Sequence, residues 1–418
     1  MRRSWVQVSA ALFTFTILAL LVVGCSSGRQ TAISQPVPAP TSNPPQPAPP
    51  PPPAPTPQPD PQPAPEPTPQ PTPQPAPQPT PAPRLAIVAN LDSTLSTYTI
   101  DPATGALHST GSISSGGAAP FAIAVDPTGR FVYAANFTDG GNISAFSIDA
   151  NAGTLTPIGS PLAAGDGIRP VTVHPSGRFL YVGNTNSDSI STYAIDSVTG
   201  SLSPIGSPLP TEEEPRSITI DPAGKFAYVV NADLNQISWY AIDATTGTLT
   251  AEGNHITVGE EPAFMVIPAS GKFAYVTNTV SQTISVLAID PNTGVLTPVG
   301  DQIPTSGTFP ISIAGDPSGR FLYVADVGTS DICSFAIDPA TGALASVGTR
   351  VPAGDSPVSL NVDPAGKFLY VANAESDTVS VFAIDPNTGA ITSAGPPVPT
   401  GHTPSFVVTL GLPADTAS

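Results

Sequence analysis

From residue 84 to 412 the chain is built of short apolar or alternating runs bounded by glycine, proline or aspartate, and no stretch carries a helical period. One run recurs almost verbatim: GRFVYAANF at 129–137, GRFLYVGNT at 177–185, GKFAYVVNA at 224–232, GKFAYVTNT at 271–279, GRFLYVADV at 319–327 and GKFLYVANA at 366–374. With RLAIVAN added at the head, these copies align on Asn90, Asn136, Asn184, Asn231, Asn278, Asp326 and Asn373, at steps of 46, 48, 47, 47, 48 and 47 residues. Two further signals run in phase. Asp101, Asp149, Asp196, Asp243, Asp290, Asp338 and Asp385 each end a run before a turn such as PATGAL or PNTGVL. A proline opens another run at Pro120, Pro170, Pro215, Pro262, Pro310, Pro357 and Pro404.

Each repeat thus holds four strand-like runs, as in PFAIAVDP, GRFVYAANF, NISAFSID and GTLTPIGS between residues 120 and 160. The D-P-x-G phrase has the residues of a type I turn, with proline presetting φ and aspartate accepting from the chain ahead. The I-D-x-x-T-G phrase supplies a glycine able to take positive φ at the next hairpin. The first repeat starts at its second strand, RLAIVANL, and the chain ends on a surplus first strand, PSFVVTLGL. A linear stack would leave two raw edges, whereas a ring lets the tail complete the head. The pattern predicts an all-β fold: a seven-bladed β-propeller of four-stranded antiparallel blades, closed by the C-terminal strand pairing into the first blade. In the recurring phrase Phe273, Tyr275 and Thr277 face one neighbouring blade and Ala274, Val276 and Asn278 the other.

Residues before 84 read differently. Arg2 and Arg3 precede an apolar stretch from Ala10 to Val23, too short for a confident membrane span, and then Gly24 and Cys25, the layout of a secretory signal. Val22-Val23-Gly24-Cys25 resembles the bacterial lipobox, so residues 1–24 are expected as a lipoprotein signal peptide and Cys25 as the lipidated N-terminus. Residues 25–83 are dominated by proline and are expected to form an extended, lipid-anchored spacer, at roughly 3.1 Å per proline-rich residue reaching up to about 150 Å. The domain is then 84–418, a monomer held to the membrane only through its N-terminal lipid, in the periplasm or at the cell surface. Cys333 is the one other cysteine, leaving no intramolecular disulfide once Cys25 is acylated, and is expected as a small buried apolar residue. A net charge of −18 argues against nucleic acid as a partner.

The literal YVTN at 275–278, inside seven degenerate copies, resembles the YVTN repeat and lactonase-type propellers, a group that includes 6-phosphogluconolactonases, fungal carboxymuconate cyclases and many cell-surface repeat proteins. The resemblance covers residues 84–412 and implies the propeller fold. Its lactonase branch carries a His-Pro-His phrase at a strand entry and later a P-D-L-G phrase; the corresponding segments here read GIRPVTVHPSGR at 167–178 and GTFPISIAGDPSGRFLYVADVG at 307–328. His174 stands only where other repeats have the turn aspartate. The first expectation is therefore an extracytoplasmic module that binds an envelope protein or a glycan. The alternative is a lactonase-like hydrolase opening a sugar lactone, with export arguing against a phosphorylated cytoplasmic one.

In a propeller, the segments entering the first strands line one mouth of the channel. Here they supply Asp166, Glu213, Glu214, Glu260, Glu261 and Asp355 as candidate binding residues, and His402, Arg169 and Arg216 as the candidates for catalysis, a base and a cation being what lactone opening requires. Asp139, Asp188, Asp233, Glu375 and Asp377 add to an acidic mouth. The opposite face gathers Arg130, Arg178, Lys225, Lys272, Arg320 and Lys367 near the turn aspartates. No nucleophile elbow, phosphate loop, dinucleotide fingerprint or His/Cys cluster is present, and no cofactor or metal site is expected.

Overall fold

The computed structural model describes residues 84–411, apart from residues 138–139 and the side chain of Asn254. The signal peptide, Cys25, the proline-rich segment and Asp139 lie outside the described residues. Among those residues the strands form seven antiparallel sheets, here blades 1 to 7 in chain order. The innermost strand of each contacts that of the next, and the circle is completed by Pro404–Gly411, which lies against Pro357–Val362 on one side and Pro120–Val125 on the other. Pro404–Gly411 also pairs antiparallel with Arg84–Asn90, setting Leu85 opposite Leu410, Ile87 opposite Val408 and Ala89 opposite Phe406. The ends of the domain are therefore joined in blade 1 as expected.

Blades 2, 3, 5, 6 and 7 break their outer strand into two short pieces that both pair with the third strand. Positive-φ glycines interrupt these strands, Gly159, Gly206, Gly300 and Gly348 among them, and prolines follow. The recurring phrase is the second strand of its blade, and both faces are packed as its alternation requires. Ala274 and Val276 lie in a cluster with Phe226 and Tyr228 of blade 4. Tyr275 lies in another with Leu322 and Val324 of blade 6.

The phrase keeps phenylalanine and tyrosine because together they clamp the next blade. Tyr133, Tyr181, Tyr228, Tyr275 and Tyr370 are fully buried. Their hydroxyls donate to the carbonyls of Gly200, Gly247, Gly294, Gly342 and Gly105, at 2.9 to 3.0 Å. Each acceptor is the glycine of the I-D-x-x-T-G turn one blade on, and the last of these bonds crosses the seam from blade 7 to blade 1. Those glycines have φ near +75°, and a Cβ on Gly342 would stand 2.5 Å from the Phe273 ring. Only glycine fits both constraints. Between blades 1 and 2, where Leu85 and Ile87 replace the aromatic pair, Thr110 Oγ1 donates to Gly153 O at 2.6 Å instead.

The D-P-x-G turns behave as their residues dictate. Asp126 Oδ1 accepts from the amides of Arg130 and Phe131, and Asp221, Asp316 and Asp363 repeat the pattern. His174 takes that place in blade 3, buried, with Nε2 2.9 Å from Gly224 O. In the basic ring Arg130, Arg178 and Arg320 donate to backbone carbonyls of the next blade's turn, at Ser197, Ala244 and Pro386.

One sequence reading is corrected. Asn184 pairs with Ile168, as Asn136 pairs with Pro120, so Ile168 rather than Pro170 occupies the opening position of blade 3. Pro170 sits two residues further in, and its ring fills the space that a Cβ on Gly183 would enter, 2.4 Å away. Cys333 is buried in an apolar cluster with Val286, Val324 and Phe335, as expected, and its Sγ also lies 2.7 Å from Thr305 O and 2.9 Å from Asp326 Oδ2.

Removing the tyrosine hydroxyl leaves a buried carbonyl without its donor, so Tyr275→Phe should lower the unfolding free energy by about 1–2 kcal/mol. Tyr323 Oη has no partner among the described residues, so Tyr323→Phe should stay within about 0.5 kcal/mol of the parent. Urea denaturation of the two variants side by side checks the contrast.

Candidate functional site

The channel opens into a cavity of about 320 Å³ lined by the innermost strands, with Arg169 and Arg216 among its walls and Phe121, Phe264 and Phe406 as large apolar surfaces. With blade 3 in its observed register, Arg169 follows Ile168 as Arg216 follows Pro215, so the two arginines hold the same position on adjacent innermost strands. Adjacent innermost strands touch, so the guanidinium groups are brought together. Both side chains are nearly buried, at 12% and 13% exposure.

Glu214 lies between them. Its Oε1 is 3.2 Å from a terminal nitrogen of Arg216 and 3.9 Å from one of Arg169. The residue enters its strand with φ +56°, a left-handed angle shared by Ala119, Glu261, Phe309, Ser356 and Thr403 at the equivalent entries. That conformation belongs to the repeat; the carboxylate belongs to blade 4. Asp188 of blade 3 accepts from the Glu214 amide at 3.0 Å, which pins the entry to the preceding blade. Arg169 also stacks over two rings of blade 2, 4.8 Å from the Phe121 centroid and 5.3 Å from that of Phe137.

Burial dominates the protonation chemistry here. It lowers Arg169 to about 10, helped by the like charge of Arg216 and opposed by Glu214. Burial also raises Glu214 to about 7, reinforced by the neighbouring Asp233 and opposed by the two arginines. Arg169 Nε makes no hydrogen bond in the described residues, and Glu214 Oε2 has no donor there, its carboxyl meeting that of Asp233 when the two share a proton. Buried polar atoms left unpaired cost stability unless a ligand or water completes them. With Asp233 counted, the four groups carry one net positive charge while Glu214 holds its proton, and the two guanidinium groups can hold an oxyanion or a carboxylate beside apolar walls.

The other candidates are placed elsewhere. Glu213, Glu260 and Asp355 are exposed on the rim, Glu261 is half-buried, and Asp166 is half-buried with Oδ1 accepting from the Gly140 amide at 3.3 Å. The expected grouping of Glu213, Glu214, Glu260 and Glu261 is thus divided by burial, Glu214 inside and the others toward solvent. His402 is exposed, its Nδ1 2.8 Å from Asp377 Oδ2, which raises the imidazole pKa. Asp377 accepts from the Thr403 amide as well, so this acid, like Asp188, ties the entry segment of the next blade. Phe121 and Phe137, which form the seat of Arg169, were not singled out from the sequence. The shifted proline at 170 hid the equivalence of Arg169 with Arg216 and with Phe121, and the glycine at 183 is the signal that gives it away.

The family described as Lactonase, 7-bladed beta-propeller matches residues 83–173, 170–267 and 262–408. The chain belongs to this lactonase propeller family. Its fold is similar to that of a candidate 6-phosphogluconolactonase of Bacteroides fragilis, with 21% identity and a TM-score of 0.71 over 79% of this chain and 98% of that one. It is similar too to the periplasmic gluconolactonase of Pseudomonas aeruginosa, with 22% identity and a TM-score of 0.70 over 79% of this chain and 99% of that one. A protein from Lactobacillus plantarum gives 20% identity and a TM-score of 0.70 over the same 79% and 99%. Comparison with curated proteins gives no match.

A carboxyl raised in the folded chain binds its proton more tightly there than when unfolded, so its contribution to stability is lost as pH rises from about 4.5 to about 7. Relative to Glu214→Gln, the parent should therefore lose stability across that window. Urea titrations of both proteins at about pH 5 and about pH 8 measure the difference.

Proposed function

We propose that this lactonase-family propeller hydrolyses a lactone in the mouth of its channel, using Arg169, Arg216 and Glu214. The observation that carries the reading is the pair of buried arginines in the cavity wall with the buried carboxyl of Glu214 set against them, Arg169 Nε having no partner among the described residues. The family assignment supports it over the expectation of a binding or scaffold module.

The chemistry follows from the charges. A lactone carbonyl placed against the guanidinium groups is polarised, and the oxyanion formed on attack gains their stabilisation in a site largely shielded from solvent. Glu214, with a pKa near 7, accepts the proton of the attacking water, and the neighbouring Asp233 helps to hold that proton on the carboxyl. Collapse breaks the ring C–O bond, and the departing ring oxygen takes a proton, giving a hydroxy acid. The phenylalanines accommodate the apolar face of the ring. Arg169 remains a cation at neutral pH despite its lowered pKa, because about 10 is still well above 7. The leader expected at residues 1–24 points to an extracytoplasmic sugar lactone as the substrate, and the acidic rim disfavours a phosphorylated one.

Gluconolactone opening, followed by acid release, should run above its spontaneous rate. Glu214→Gln and Arg216→Ala should each lower kcat/KM by about a hundredfold or more. In the parent kcat/KM should climb with pH through about 7, the midpoint of Glu214. His402→Ala, which removes only an exposed partner of Asp377, should leave the rate unchanged. A panel of sugar lactones all opening at their spontaneous rates would sink the reading.

A further inference from the structure

Every blade carries a polar column where its second and third strands turn toward the channel mouth. In blade 5 this column is Asn278, Thr283 and Ser285, the Asn amide donating to both hydroxyls at 3.0 and 2.9 Å. Five other blades keep the same chemistry, an Asn, a neutral polar residue and a Ser. Blade 6 departs at all three positions, reading Asp326, Asp331 and Cys333. A neutral network of matched donors and acceptors has been replaced by two carboxyls and a thiol, all buried.

The geometry gathers one ligand atom from each of these residues within 4.8 Å of the others. Two ligands on a tetrahedral Zn²⁺ stand about 3–4 Å apart, from bond lengths of about 2.0–2.3 Å, so small side-chain adjustments suffice. Cys333 Sγ already touches Asp326 Oδ2 at 2.9 Å and lies 2.7 Å from the carbonyl oxygen of Thr305, a further hard donor. A second observation is independent of this clustering. Asp326 is fully buried, and its Oδ1 has no partner; the equivalent Asn oxygens at 184, 278 and 373 accept from a glycine amide, those at 136 and 231 also lack a partner, and only in blade 6 does the unpartnered oxygen belong to a carboxyl. An approach exists through a cleft lined by Thr305, Asp331, Cys333 and Arg350. Arg350 pairs with Asp331 Oδ2 at 2.9 Å, but its side chain is 42% exposed and is free to swing into solvent when a cation takes that oxygen.

We propose that Asp326, Asp331 and Cys333 form a binding site for a borderline-soft divalent cation of the Zn²⁺ type, with Thr305 O or water completing the tetrahedron. Thiolate selects against Ca²⁺ and Mg²⁺, and the mixed sulfur and oxygen set suits Zn²⁺. As the metal–sulfur bond forms, the thiol proton passes to solvent, and Asp326 gives up whatever proton it holds. The site lies in the wall of blade 6, separate from the arginine cluster of blades 3 and 4, so its role is to brace the blade.

Co²⁺ serves as the probe, in the full-length chain carrying Cys25→Ser so that Cys333 is the sole thiol. Titration should produce a saturable thiolate-to-Co²⁺ charge-transfer band at one ion per chain, which Zn²⁺ displaces, and Zn²⁺ should raise the melting temperature. Cys333→Ser and Asp326→Asn each restore the residue that the other blades use, and so are compatible with folding. Each should abolish the band and weaken Zn²⁺ binding by about tenfold to a hundredfold or more. A parent that gives no band, or a band that survives either substitution, overturns the proposal. Lactone hydrolysis in the same preparations reports on the channel cluster independently.

Discussion

The hold of one blade on the next is the constraint on which the rest of this molecule depends. A four-stranded sheet with both faces apolar cannot stand alone in water, and generic apolar packing would let neighbouring sheets slide. The aromatic pair of the second strand prevents sliding by adding direction. The phenylalanine ring covers a glycine that can carry no Cβ, and the tyrosine hydroxyl finds that same glycine's carbonyl. Position along and across the sheet is fixed by one residue of the neighbour. The bond from Tyr370 to Gly105 applies the same rule where the chain ends meet, beside the strand that Pro404–Gly411 adds to blade 1. Blade 1 has neither aromatic, and Thr110 supplies the hydroxyl from a different strand. The bond is kept although the residue providing it has moved.

Fixed blades make the channel mouth a place where residues far apart in sequence meet reproducibly. Arg169 and Arg216 are one blade apart, and their like charges would separate in a flexible loop. They remain together because equivalent positions on adjacent innermost strands are a constant of the ring, and because Glu214 and the rings of Phe121 and Phe137 supply the compensation. The cost of burying this cluster is visible in Arg169 and Glu214, whose charged forms are both disfavoured. Under the proposed function such a cluster is preorganised, its charges being positioned before a substrate would arrive.

The sequence made the fold legible because each blade obeys the same local chemistry. Turn aspartates, prolines and glycines occur at one spacing, and the orphan strands at 84 and 404 point to closure. The site was legible only in part. Arg169, Arg216 and Glu214 can all be named from the strand entries, yet their mutual contact cannot, because it depends on a two-residue register difference in blade 3. Proline at 170 imitates the opening proline of the other blades; Ile168 holds that place, and Gly183 lacks a side chain because the proline ring occupies its space. The acidic mouth was read as one surface for a related reason. Spacing places Asp188, Asp377, Glu213 and Glu214 on the same end of the disc. It does not say that Asp188 and Asp377 are spent on capping backbone amides, or that Glu214 is turned inward.

Function in a repeat protein is then written as departure from the repeat. Where six copies agree, the shared residue answers a need common to all blades, and its chemistry is that of folding. Where one copy differs, the shared need is still present, and the new residue has to meet it or leave a mark. Asp326 leaves such a mark, a buried carboxyl oxygen with no donor where the adjacent blades, at Asn278 and Asn373, have an amide oxygen that accepts from a glycine. Tyr323, in the same strand, has likewise lost the partner that its counterparts keep. Glu214 leaves another, a buried carboxyl with its pKa raised to about 7 at an entry where the other blades place Ala, Gly, Glu, Phe, Ser or Thr. Both are costs that folding alone gives no reason to carry, since the neighbouring blades show the cheaper solution. The departures in blades 3, 4 and 6 therefore mark the places in the disc where the local chemistry of the repeat is given up at a cost in stability, and it is on these that the proposals rest.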